Sequence, residues 1–484
     1  MMIPMHTVQK SIARNVAFVV IASIGAYPGQ RAFAQCDAVQ AIKLSASDRF
    51  TGDWFGSSRA VAISGDRIAV GAVFNDDAGT SSGAAYVFVR TAGVWTEEAK
   101  LLAADAAIDD RFGVSVGISG DTVVVGAEME DDADTNAGAA YVFVRSGSTW
   151  TQQAKLVGTG LDNGAMFGHA VAISGNTIAV TAPLYNAVLA NEGAIFIFVR
   201  SGTTWSQQAV LSGADLDGGE RLGMSVALDG DTVIGGSTFD NPFGPFSGSA
   251  YVFVRGGVSW AQQGKLIPSD GATMDIFGEA VALHGNRALV GAPQDDDAGS
   301  SSGSAYVFTR SGTVWSQQAK LTASDAASGD GFGLAVGIRD NLALIGAYVD
   351  DIPFPGGINA GSAYLFQTDG MSWWQRDKMS AADANSNDQY GQGVALDGDT
   401  GVITAPYDDL PGTDAGAAYV VDLVPTLSCD IDGDADVDAT DLTIFINVLL
   451  GIDTTPARRT RSDLDCSGVP NGADIPYFLD CYFP

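Results

Sequence analysis

Oxygen ligands for a hard cation are the plainest chemistry in this chain. Asp430, Asp432, Asp434, Asp436, Asp438 and Asp441 stand within twelve positions, with acids at loop positions 1, 3, 5, 9 and 12. Ca2+ needs several oxygens converging on one point, and this spacing supplies them. A looser copy begins 33 residues on, where Asp463, Asp465, Ser467, Asn471 and Asp474 hold the same register. Gly468 sits at its sixth position, where the sharp turn favours glycine; the first loop has Ala435 there. Apolar runs follow both loops, at 442–450 and 475–479. Calcium is therefore the expected cofactor.

Two further sets of acids recur upstream. Carboxylates five apart appear as Asp48 and Asp53, Asp105 and Asp110, Asp215 and Glu220, Asp270 and Asp275, Asp325 and Asp330, and Asp383 and Asp388. Single acids recur at Asp76, Asp131, Asp240, Asp296, Asp351 and Asp409. Such aspartates either cap turns by accepting from nearby amides or form a cation-binding face. Both readings stand. For catalysis the sequence offers no residues: His169 and His284 do not recur, and nucleophile elbows, zinc clusters and phosphate loops are absent. His169 reads as a packed core histidine. No carboxylate pair stands out from the repeated set as a glycosidase pair.

The elements that carry these acids repeat. Phe-Gly or a near equivalent recurs at Phe55-Gly56, Phe112-Gly113, Phe167-Gly168, Leu222-Gly223, Phe277-Gly278, Phe332-Gly333 and Tyr390-Gly391, in steps of 55 to 58 residues. Each unit reads as four strands, shown in the second copy by 113–118, 122–127, 139–145 and 150–156. Four antiparallel strands repeated seven times with short turns predict an all-β, seven-bladed β-propeller over 36–425. A tryptophan opens the fourth strand at Trp95, Trp150, Trp205, Trp260, Trp315 and Trp374. The seventh unit lacks its fourth strand, and residues 41–48 match the missing piece, so the N-terminal strand should close the ring. The 4→1 and 2→3 connections then share one face, which gathers the acids. The 2→3 loops of units three, four and six diverge, with exposed aromatics and prolines suited to binding.

These motifs resemble the FG-GAP repeat of integrin alpha-chain propellers and many exported bacterial proteins. Phe277-Gly278 with Gly291-Ala292-Pro293, and Phe167-Gly168 with Thr181-Ala182-Pro183, carry its two halves. The resemblance implies a propeller that binds partners, often with calcium. The integrin calcium loop between the two halves is replaced here by short turns such as Ser119-Gly120-Asp121, so those ligands are not carried over. The duplicated loop and helix at 427–484 resembles a dockerin, a small α-helical calcium-binding module. That implies two calcium sites and docking to a cohesin-like partner. Where the family often has Ser-Thr for docking, this chain has Ala439-Thr440 and Gly472-Ala473.

Residues 1–34 read as a signal peptide: Lys10 and Arg14 precede an apolar run at 16–26, and Ala32-Phe33-Ala34 supplies the cleavage pattern. A secreted, extracellular or cell-surface location follows. No later run is long enough to span a membrane. Export makes the four cysteines disulfide candidates. Ring closure favours Cys36 with Cys429, leaving Cys466 with Cys481, one of three connectivities. A net charge of -32 excludes nucleic acid as a partner. The expected function is binding or display of a protein or glycan ligand without catalysis, the C-terminal module serving as a calcium-dependent tether. Polysaccharide degradation, alone or in a complex, and integrin-like adhesion are the alternatives.

Overall fold

The computed structural model describes residues 41–186, 188–352, 357–409, 412–423 and 439–453. Residues Gln40–Leu423 form one unit. It holds seven sheets of four antiparallel strands, six of them ordered in sequence from the inner strand outward. Blade two is typical: Phe112–Ser119, Thr122–Ala127, Ala139–Ser146 and Thr149–Leu156. The second strand reads TVVVGA and is buried throughout, as a β-branched strand packed on both faces should be. The repeated phenylalanine enters the core between blades, where Phe112 meets the edges of Tyr141 and Phe143 at 5.5 and 5.9 Å between ring centroids.

The seventh sheet is completed by Ile42–Leu44, in register Ile42↔Val420, Lys43↔Tyr419 and Leu44↔Ala418. The ring closes with the first described strand on the outside of the last blade, as the missing fourth strand predicted.

The two glycines of the repeat lock neighbouring blades together. A Cβ on Gly126, in the second strand of blade two, would lie 1.9 Å from the carbonyl oxygen of Gly168 in blade three. Only glycine allows that approach.

The outer strands carry a second lock that the sequence did not announce. In blades one to six the pairing of the third and fourth strands slips by one residue, at Val142/Phe143 in blade two. The residue left over in this bulge accepts the indole N–H of the next blade's tryptophan: Trp150 to Glu98, Trp205 to Gln153, Trp260 to Gln208 and Trp315 to Gln263, at 2.8–3.0 Å. The glutamine before it accepts a backbone N–H from the preceding connection, as Gln152 does from Ala104 and Gln207 from Thr159. In blade six Trp373, not Trp374, is the residue in this register, bonding Gln318.

The other unit comprises the two ends of the chain. Its described part is a helix, Ala439–Leu449, with Asp441, Ile444, Phe445 and Val448 buried along one face. Gly451, at φ +69°, ends it. The four cysteines, and every calcium-loop residue named above except Asp441, lie outside the described residues.

Candidate functional site

The repeated acids are spoken for inside each blade. In blade two the Lys155 ammonium, on the fourth strand, bonds Asp105 at 2.7 Å and Glu130 at 2.9 Å, with Asp132 as a third partner. The ammonium also lies 5.5 Å from the centroid of Tyr141. The same cage recurs at Lys43 with Asp383 and Asp408, at Lys265 with Asp215 and Asp240, at Lys320 with Asp270 and Asp295, and at Lys378 with Asp325 and Asp350. Lys100 bonds Asp48 and Asp77 likewise. Burial alone would raise Asp48, Asp105, Asp215, Asp325 and Asp383, but the lysine hydrogen bond, the tyrosine hydroxyl and the lysine charge together outweigh it and hold each below the usual carboxylate range.

The second acid of each pair closes its own loop. Asp110 accepts from the Ala107 amide and Asp388 from that of Asn385, both at 2.7 Å. Burial raises Asp53, Asp110, Glu220 and Asp330, and pushes Asp275 and Asp388 up to about 6. Blade three lacks the whole set, with Gly160, Ala165, Tyr185 and Val210 at the corresponding places. Loss of cation and carboxylates together is what mutual neutralisation requires.

The acids after the second strand are turn closers. Asp76, Asp131, Asp296 and Asp409 each accept from the amide five residues on, and Asp351 from Asn359. Asp240 does not belong to this set. It is buried, one residue earlier in register, bonded to Ser249, Tyr251 and Lys265, and Asn241 closes the turn in its place. Among the described residues, no cluster of three or more acids, histidines or cysteines is arranged for a metal ion.

What remains is a ring where the blades stop repeating. The residue before each Phe-Gly is Trp54, Arg111, Met166, Arg221, Ile276, Gly331 and Gln389, with φ between +48° and +65° in every blade. Left-handed backbone suits glycine, and bulky side chains there are strained. Yet six of the seven are large or polar, and they differ. Trp54 stands edge-on to Phe74 and Tyr407, at 4.7 and 4.8 Å. Arg111 faces Phe74 and reaches Glu128, and Arg221 lies 4.0 Å from the centroid of Phe239.

These residues stand directly before the Phe-Gly that leads into each blade's first strand, on the face of the longer loops. Below them the first strands line the channel with Val61, Val116, Val171, Val226, Val281, Val336 and Val394, enclosing about 250 Å3. Blade one is two residues longer between its Phe-Gly and that valine, and the extra length carries Arg59 across the opening. Its guanidinium bonds Glu279 of blade five and the Met224 carbonyl of blade four, both at 2.9 Å. His169 is buried as expected, but it is not merely packed: its Nδ1 meets Glu128 at 2.7 Å. Burial, with Arg59 adding to it, holds His169 below its ordinary value; burial would raise Glu128, but the His169 bond and the charges of His169, Arg59 and Arg111 together keep it low. The cue for this ring was variation inside a repeat, a signal that a search for shared residues passes over.

No helix among the described residues is long and apolar enough to cross a membrane. No curated protein matches the chain. One solved structure, titled "Crystal Structure of Mitotic Checkpoint Complex", aligns over 82% of this chain and 98% of its own, at 13% identity and a TM-score of 0.47. The FG-GAP repeat matches at residues 39–88, 95–143, 150–198, 205–253, 260–308, 315–366 and 373–421. Each matched segment starts at the outer strand of one blade and ends in the third strand of the next, so the repeat straddles the blades it locks together. With seven such segments covering most of its length, this chain belongs to the FG-GAP repeat family.

Proposed function

We propose that this is an exported binding or display protein whose propeller holds a protein or glycan ligand at the channel mouth, without catalysis. The observation that carries the reading is the strained, non-repeating ring from Trp54 to Gln389, set in blades whose lysine cages pair the repeated acids internally. Strain kept at one register in six of the seven blades, Gly331 being the exception, is a mark of use rather than of packing. A leader at 1–34 and a dockerin-like module at 427–484 complete the design, the module tethering the propeller through calcium to a cohesin-like partner. Asp430, Asp432, Asp434, Asp436, Asp438 and Asp441 would hold one ion; Asp463, Asp465, Ser467, Asn471 and Asp474 would hold the second. The buried Asp441 at the head of an amphipathic helix fits a loop-helix calcium site.

Protein and glycan arrays probed with the full chain test the ligand reading. A hit should weaken at least tenfold in Trp54→Gly, which borrows the glycine of blade six, and persist in Val258→Glu on the opposite face. A hit lost only in the second variant, or turnover of a polysaccharide by the pure protein, would overturn it. For the tether, calorimetric titration should find two calcium ions per chain, and Asp430→Ala should remove one.

A further inference from the structure

The seven blades are internal controls for one another, and one place departs from all of them. The 2→3 loop of blade four reads Asp240-Asn-Pro-Phe-Gly-Pro-Phe246, the same length as Asp295-Asp-Asp-Ala-Gly-Ser-Ser301 in blade five. Phe246 adopts φ +57° at a register otherwise held by Ser81, Asn136, Asn191, Ser301, Asn359 and Asp414. Met274, in the adjoining connection, adopts φ +75° where the others have glycine, Asp109 or Asn387. Arg221 at φ +57° is the third strained residue here. The three are joined: Arg221 covers Phe239, Phe239 meets Phe246 edge-on at 5.0 Å, and the Met274 amide bonds the Pro245 carbonyl. Phe243 completes the patch. A Cβ on Gly271 would lie 2.7 Å from its ring, and blades two and six have Ala106 and Ala326 at that register. Phe243, Phe246 and Met274 are 41%, 39% and 48% exposed.

Charge sets this patch apart as well. Of the three arginines at the mouth, Arg59 pairs with Glu279 and Arg111 with Glu128. Arg221 has no carboxylate within 4 Å among the described residues, in a chain of net charge -32. A guanidinium stacked on an aromatic ring keeps its in-plane donors free for a carboxylate. Phenylalanine, methionine, proline and arginine, without a cluster of amides or hydroxyls for sugar, make a protein-binding surface rather than a glycan cleft.

We propose that Arg221, Phe239, Phe243, Phe246 and Met274 form a docking site for a peptide segment of a partner protein that presents a carboxylate beside an aromatic or aliphatic side chain. This rests on the reading of the loop face as a ligand surface and names the ligand class at one part of it.

A displayed random dodecapeptide library, panned against the full chain, tests the site. Enriched peptides should pair Asp, Glu or a free C-terminus with Phe, Leu, Trp or Met. Synthetic copies should bind Arg221→Gln, Phe246→Ser and Met274→Gly at least tenfold more weakly. The last two variants restore residues other blades use, so their melting temperatures should equal or exceed wild type. No enrichment, peptides without an acid, or lower melting of Phe246→Ser and Met274→Gly would overturn the proposal. So would Arg221-dependent binding of an oligogalacturonate that no peptide matches. Peptides indifferent to all three substitutions but lost in Trp54→Gly would overturn this site and leave the wider reading standing.

Discussion

Asp388 is buried with its Oδ1 lacking a partner, and its neighbours include the carboxylates of Asp408 and Asp409. A proton resolves that arrangement, which is why burial lifts this group, and Asp275 in blade five, to about 6. With both raised above the unfolded value of 3.8, the folded chain binds more protons between those limits. Ionisation therefore carries a penalty that is full above about pH 6 and fades as pH falls towards 4. Asp275→Asn with Asp388→Asn should be more stable than wild type at pH 7.5, by about 1 kcal/mol for each site after allowing for solvent screening. The advantage should shrink below about pH 6 and vanish only below pH 3.8; chemical denaturation across that range measures it, and a constant difference would refute the cause given. The sequence displayed these pairs by their five-residue spacing. It did not display their division of labour, because the lysine that neutralises the first acid stands some 50 residues away in chain order, as Lys155 does from Asp105.

Within a blade, the lysine cage is the unit that either exists whole or not at all. Lys155→Met leaves Asp105, Glu130 and Asp132 facing one another without their cation, and should cost about 3 kcal/mol. Giving blade two the residues of blade three (Lys155→Val, Asp105→Gly, Asp110→Ala, Glu130→Tyr) should recover most of that loss. Thermal melts of both variants check this, and a quadruple variant worse than the single one would count against neutralisation as the reason for the cage. Trp205→Phe tests the lock between blades: it strands the Gln153 carbonyl and should cost about 1 kcal/mol. Strand number and order were legible from apolar runs and turns. The bulges were not, since a one-residue slip in a strand that alternates polar and apolar leaves the alternation looking intact. The same blindness put Asp240 one place out of register: the loop of blade four has the length of its siblings, but Asn241 stands where blades one, two, five and seven have the turn-closing aspartate.

Across the whole ring, closure rests on three paired residues and one ion cluster. Lys43 bonds Asp383 and Asp408, both of blade seven, at 2.6 and 2.7 Å. Deleting residues 41–46 removes the strand, uncovers the edge of Ala417–Asp422 and leaves two acids unpaired. The expected result is a loss of about 3 kcal/mol or more and concentration-dependent self-association, read by melting and by sedimentation. A monomer with unchanged melting would show the seam to be dispensable. This closure was legible because residues 41–48 match the repeat at the wrong end of the chain. The mouth of the channel was not, because Arg59, Glu128, His169 and Glu279 come from four blades and share no motif. The seam also sets how the ring answers force. Ile42 pairs with Val420 at the end of the ladder from which both chain ends depart. Tension applied between those ends peels the hydrogen bonds apart one after another, like a zip, instead of shearing them together. Held by its two ends, the propeller opens at a low load and always at blade seven. Held by one end and by a ligand on its loop face, it passes the load through the blade junctions, five of them glycine-locked, and leaves the zip slack.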